Sequence, residues 1–171
     1  MELIASFQVD HTKIRPGIYV SRVDAVGDDF MTTFDVRMKR PNVEPAIHPN
    51  ALHTIEHIVA TCLRNDSDWK DRIVYWGPMG CLTGNYLLVK GRPMPQEIAP
   101  LVLAAFRHCR DYVGVVPGTT AETCGNFRLH DLAMAKWEAA QFVTRLENEP
   151  CFDYPTAMRV ITEKGLLFHD S

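Results

Sequence analysis

The order of apolar and polar residues divides the chain into strands and helices in mixed succession. Residues 2–9 read as a short strand and residues 18–23 as a second. Over residues 30–38 the pattern alternates. Thr32, Phe34, Val36 and Met38 make the more apolar face, while Met31, Thr33, Asp35 and Arg37 share the other. That is a half-buried strand presenting Arg37 on its polar side. Pro41, Pro45 and Pro49 then hold a loop. Asn50 serves as N-cap for a helix over residues 51–64, with Leu52, Ile55, Val59, Cys62 and Leu63 as its buried stripe. Residues 72–76 form the next strand, Gly77-Pro78-Met79-Gly80 a turn, and residues 83–90 a further strand. The uninterrupted run Tyr86-Leu87-Leu88-Val89 suits a strand in the middle of a sheet. Helices over residues 96–113 and 130–146 flank a loop rich in Gly, Pro and Thr; Pro100 is tolerable in the first of them only near its first turn. The tail after Pro150 is weakly patterned. These elements predict an α+β fold, an antiparallel β-sheet with helices packed on one face, in a single domain over residues 1–171.

Composition narrows the function. Of 171 residues 46% are apolar, enough for a packed core, and the net charge of -3 is spread without an acidic or basic block. That balance argues against a nucleic-acid surface and leaves room for one small polar substrate. No apolar run reaches the roughly 20 residues of a membrane helix, and the N-terminus lacks the pattern of a signal peptide. Five cysteines without framework spacing fit free thiols in a reducing compartment, hence the cytoplasm.

The chemistry begins at His53-Thr54-Ile55-Glu56-His57. On a helix the residues i and i+4 share a face, so two imidazoles one turn apart can hold one metal ion. Glu56 stands beside them, able to move protons without ligating. The bland alternative is two ordinary surface histidines. A helix supplies only two ligands, and Cys124, on a loop eased by Gly125, is the best candidate for a third; by itself it is equally an ordinary free thiol. Cys81 follows the Gly-Pro-Met-Gly turn, where its thiol would be exposed at a strand end as an acid/base group; by itself it is more often a small buried hydrophobe. Arg37 can hydrogen-bond an anionic or hydroxylated ligand, and His11 lies in a local polar patch near the N-terminus. His48, His108 and His169 read as structural or surface residues. His130 is less plain, because it opens the third helix just after the Cys124 loop.

Seven segments occur in a specific order: Ser6-Phe7-x-x-Asp10-His11, Phe34-Asp35-x-Arg37, Arg40-Pro41-Asn42, His53-Thr54-x-Glu56-His57, Gly77-Pro78-Met79-Gly80-Cys81-x-Thr83-Gly84, Cys124-Gly125 and Leu129-His130-Asp131-Leu132. Together they resemble the S-ribosylhomocysteine lyases, the LuxS family of autoinducer-2 synthesis, from residue 2 to about residue 140. The resemblance implies a LuxS/metallopeptidase-like architecture and a homodimer with active sites at the subunit interface. It implies one Fe(II) or Zn(II) per subunit on His53, His57 and Cys124, and Glu56 and Cys81 as the proton-moving pair. Ser6, His11 and Arg37 fall on substrate positions that the family draws from the partner chain. The implied reaction splits S-ribosylhomocysteine into homocysteine and 4,5-dihydroxy-2,3-pentanedione, a step of the activated methyl cycle. Lys39 and Arg40, Tyr75 and Leu82 depart from residues common in the family.

Two other readings compete. H-x-x-E-H is also a metallopeptidase signature, with Glu56 activating water. The chain is short for that class, the third ligand there is a carboxylate, and Cys81 would have no role. A structural or regulatory metal domain would close the ion with four protein ligands, often in paired Cys motifs, and no C-x-x-C is present.

Overall fold

The structure, a computed structural model, describes residues 10–155. The strand expected over residues 2–9, Ser6 and the end of the tail lie outside the described residues. Strand β1 (Gly17–Val26) turns through Gly27, whose φ of 60° needs no Cβ, into β2 (Asp29–Arg37), and the two pair antiparallel from Val26↔Asp29 to Gly17↔Arg37. Helix α1 (Pro49–Asn65) follows, then β3 (Ile73–Pro78) and β4 (Gly84–Lys90). β4 inserts between β2 and β3, giving the antiparallel order β1-β2-β4-β3. Its interior place suits its continuous apolar run. Helices α2 (Pro95–Asp111) and α3 (Leu132–Asn148) complete the α+β fold. All three helices pack on one sheet face, where Ile18, Phe34, Val36, Leu87 and Val89 meet Leu52, Ile55 and Val59 of α1, Phe106 of α2 and Phe142 of α3.

Several boundaries differ from the sequence reading, each for a local reason. His48, not Asn50, caps α1: its Nδ1 accepts from Asn50 N–H at 3.3 Å, and Pro49 occupies the first helical position, where no donor is needed. Pro100 sits six residues into α2, beyond the first turn, on an exposed side where the lost backbone bond leaves a carbonyl that water can reach. α3 starts at Leu132, with Asp131 accepting from Met134 N–H at 2.9 Å, so His130 lies ahead of the helix. β3 runs through Gly77 into Pro78.

The larger difference is that β2 is buried on both faces from Thr32 onward, not half-buried. Its second face is covered by Tyr19, which stacks on Tyr154 with ring centroids 4.5 Å apart, and by the segment after α3, whose Cys151 carbonyl accepts from Ile18 N–H. The alternation in the sequence marked which residues share a face, but nothing local announced a cover some 120 residues away.

Lys39, one of the departures from the common family pattern, forms a buried ion pair with Glu138 of α3 at 2.6 Å. Removing one charge strands the other in the core. Lys39→Met should therefore cost about 3–5 kcal/mol in denaturant unfolding, and adding Glu138→Leu should recover most of it.

Candidate metal centre

Helix α1 buries Ala51, Leu52, Ile55, Ile58, Val59 and Leu63 and leaves His53, Glu56 and His57 half-buried on its other edge. The loop between α2 and α3 folds over that edge. His53 Nδ1 lies 2.8 Å from Leu129 O and His57 Nδ1 lies 2.7 Å from Pro117 O. A carbonyl only accepts, so each Nδ1 carries the proton and each Nε2 keeps a lone pair. Gly118, at φ 69°, lets the loop pass His57; a Cβ there would come 3.1 Å from its Nδ1.

Both Nε2 atoms face Cys124, whose Sγ lies 3.5 Å from His53 Nε2 and 3.8 Å from His57 Nε2. A tetrahedral ion about 2.0–2.1 Å from nitrogen and about 2.3 Å from sulfur puts N and S roughly 3.5 Å apart. The two rings stand at 90°, so their lone pairs can converge on one point. Asn126 N–H also donates to the sulfur at 3.4 Å, which suits a metal-binding cysteine. The donor set and its spacing fit a divalent cation.

A ring nitrogen of His130 also falls within 4.8 Å of the other three donor atoms. Its ring, however, stacks on His53 with centroids 4.3 Å apart and planes 19° from parallel. A ligated ion lies in the plane of each imidazole, along the nitrogen lone pair. The His53 and His130 rings thus stack, whereas the His53 and His57 rings cross at 90°, the better arrangement for two lone pairs to converge on one ion. With His53, His57 and Cys124 as its ligands, a tetrahedral ion would keep one position for substrate, the arrangement of a catalytic rather than a structural site. Burial, helped by the neighbouring His53 and His57, pushes the His130 pKa down to about 4.

The second set of expected residues lies elsewhere. Arg37 and Cys81 belong to the sheet face turned away from α1. Arg37 is 3% exposed. Its Nε and Nη2 bond both oxygens of Asp35 at 3.0 and 2.6 Å, and its Nη1 donates to Thr83 Oγ1 at 2.6 Å and to Cys81 Sγ at 3.7 Å. Burial works against the charge, but the Asp35 carboxylate beside it raises the Arg37 pKa above its ordinary value. Tyr154 adds a bond to Asp35 Oδ2 at 3.0 Å, and burial, with the Asp35 charge close by, raises the pKa of its hydroxyl. Cys81 is exposed at the tip of the β3–β4 hairpin, where Leu82 N–H closes a turn onto Met79 O and Leu82 takes φ 59°. His11 is half-buried near the start of the described residues. Among the described residues no hydrogen bond links this network to the histidine cluster. Burial pushes the Cys109 thiol up to about 12 and raises Cys62 as well, so neither competes as a reactive group.

Sequence reasoning singled out neither Asp35 nor Tyr154 nor Thr54. Asp35 had a usable signal, since it sits two residues before Arg37 on the same strand face. Tyr154 had none.

Residues 4–151 match the family model described as S-ribosylhomocysteinase (LuxS). Over 159 residues the chain is 54% identical to a protein of Phocaeicola vulgatus named S-ribosylhomocysteine lyase, covering 91% of this chain and 99% of that one. Proteins of the same name from Porphyromonas gingivalis and Desulfotalea psychrophila are 52% and 50% identical, over 91% of this chain in both cases and over 99% and 100% of their own lengths.

Proposed function

The chain belongs to the S-ribosylhomocysteinase (LuxS) family, and we propose that it cleaves S-ribosylhomocysteine to homocysteine and 4,5-dihydroxy-2,3-pentanedione, the precursor of autoinducer-2. The observation that carries this reading is the convergence of His53 Nε2, His57 Nε2 and Cys124 Sγ at the N–S spacing that a tetrahedral ion would need. His53, His57 and Cys124 would hold one Fe(II) or Zn(II) per subunit, since imidazole and thiolate suit both. Bound there, the cation supplies Lewis acidity toward the sugar's carbonyl oxygens.

The residues of the chain do the rest. Thioether cleavage needs a carbonyl next to the carbon that loses its proton, so the sugar's aldehyde must migrate by repeated proton transfers. Glu56, one residue before His57, takes a proton from one carbon and returns it to its neighbour. Cys81 serves as the second acid/base group, with Arg37 and Thr83 orienting its sulfur. β-Elimination then expels homocysteine thiolate.

Glu56 and Cys81 lie on opposite sides of the sheet, which supports a homodimer in which a second copy brings Cys81 and Arg37 to this chain's histidines. Ser6 and His11 would arrive with them as substrate contacts, and Arg37 keeps one N–H for the same task. The five cysteines, all free, support a cytoplasmic location. Within the described residues no helix is long and apolar enough to cross a membrane.

The test is purified protein with S-ribosylhomocysteine. Homocysteine thiol should appear, and a chelator should stop its release. Cleavage of a peptide panel without thiol release from S-ribosylhomocysteine would replace the lyase with a metallopeptidase.

A further inference from the structure

His130 is near the candidate ligands, but its ring stacks on His53 instead of crossing it as His57 does, which leaves the use of its second nitrogen unexplained. The hydrogen bonds around Thr54 settle which nitrogen is involved. The Thr54 hydroxyl gives its one proton to Asn50 O at 2.9 Å. Its oxygen then accepts from Asp131 N–H at 3.0 Å and from His130 Nδ1 at 3.2 Å. Nδ1 therefore carries the imidazole proton, and Nε2 is left with a lone pair. That Nε2 is buried and has no hydrogen-bond partner among the described residues. A buried acceptor without a donor costs stability unless something else fills the need. The ring is also fixed. It is pinned through Thr54 to α1, stacked on His53, and set at 77° to His57 with centroids 4.9 Å apart.

We infer that His130 is a substrate-contacting residue: its Nε2 accepts a hydrogen bond from a sugar hydroxyl held beside His53, His57 and Cys124. The partner chemistry is a neutral hydroxyl donor, as on the carbons of an open-chain ribose. A carboxylate or carbonyl has no proton to give. The contact holds that hydroxyl in register with the metal-binding donors while Glu56 works on the adjacent carbon. Thr54, inside the H-x-x-E-H segment, acts as a positioning residue, because it sets the tautomer of His130. The inference rests on the lyase reading.

The experiment compares His130→Phe and His130→Gln in Co(II)-loaded protein, with metal content, the visible Co(II) bands, the Kd for S-ribosylhomocysteine read from those bands, and turnover. Phe keeps a stacking ring and removes both nitrogens. Gln puts a hydrogen-bonding group near the place of Nε2. Both variants should retain one metal per chain with unchanged bands in the absence of substrate. His130→Phe should weaken substrate binding and kcat/KM by roughly 10–100-fold, the cost of one lost bond to a buried partner, and His130→Gln should restore most of it. Loss of metal or altered resting bands in both variants would make His130 a ligand and overturn the inference. So would a Phe variant that binds and turns over as the parent does, or a Gln variant no better than Phe, since either assigns the ring to packing alone. A parent protein that shifts its bands with S-ribosylhomocysteine and releases no homocysteine sinks the lyase reading while the binding data still judge His130.

Discussion

Cys124→Ala protein should retain almost no divalent metal after purification, and its turnover should vanish with the ion. The variant keeps two neutral imidazoles from neighbouring turns of α1 and loses the one donor that carries charge. The affinity loss should exceed the roughly 10–100-fold that removal of an outer hydrogen-bond partner costs, because a direct ligand is gone. The fold should survive. His53 and His57 are held by the carbonyls of Leu129 and Pro117, not by the sulfur. Thermal unfolding of the variant should therefore match that of the parent protein stripped by a chelator, since the only stabilisation lost is that of metal binding. Metal analysis beside a melting curve reads both points. A variant that still carries a full equivalent of tightly held metal would remove the sulfur from the site.

Cys81→Ala should behave in the opposite way. It should keep one metal per chain and lose about 10²–10⁴-fold in kcat, the usual contribution of a positioned acid or base. The thiol lies on the far side of the sheet from the imidazole pair and bonds to Arg37 and Thr83. Among the described residues nothing places it where it could anchor the ion. Stability should change little, because the residue is exposed and Arg37 keeps its bonds to Asp35 and Thr83. Metal content, a free-thiol count and single-turnover kinetics on the same preparation separate the two cysteines. If Cys81→Ala emerges without metal, the roles of the two sulfurs are exchanged.

The two sites differ in how far they could be read before folding. The pairing of His53 with His57 follows from the helical repeat, which acts over four residues and needs no tertiary information. The apolar stripe of α1 and the face shared by Asp35 and Arg37 are legible for the same reason. The N-cap lies two residues ahead of Asn50 because Pro49 takes the first helical position, where no donor is needed. In the sequence His130 is marked only by its nearness to Cys124 along the chain. Its use depends on Thr54, 76 residues earlier, whose hydroxyl joins α1 to the segment before α3.

Arg37 marks the same limit from the other side. Strand alternation put it on a polar face, and the tertiary structure made that face part of the interior. Tyr19 and Tyr154 close over Asp35, and most of the guanidinium's donors are satisfied within the chain. An expected ligand-binding arginine is thus also the support of a cysteine.

By itself the amino-acid order determined what repeats locally: the helical imidazole pair, the glutamate beside it, the hairpin tip that carries Cys81, and the motif series that marks the family. The tertiary structure alone decided which distant groups meet. It brought the Cys124 sulfur to the two imidazoles, stacked His130 on His53, and put the sheet between Glu56 and Cys81. The physical reason is range. Backbone periodicity propagates over a few residues, whereas the approach of a loop, a helix and a tail is set by the packing of a whole core, which no short stretch of sequence encodes.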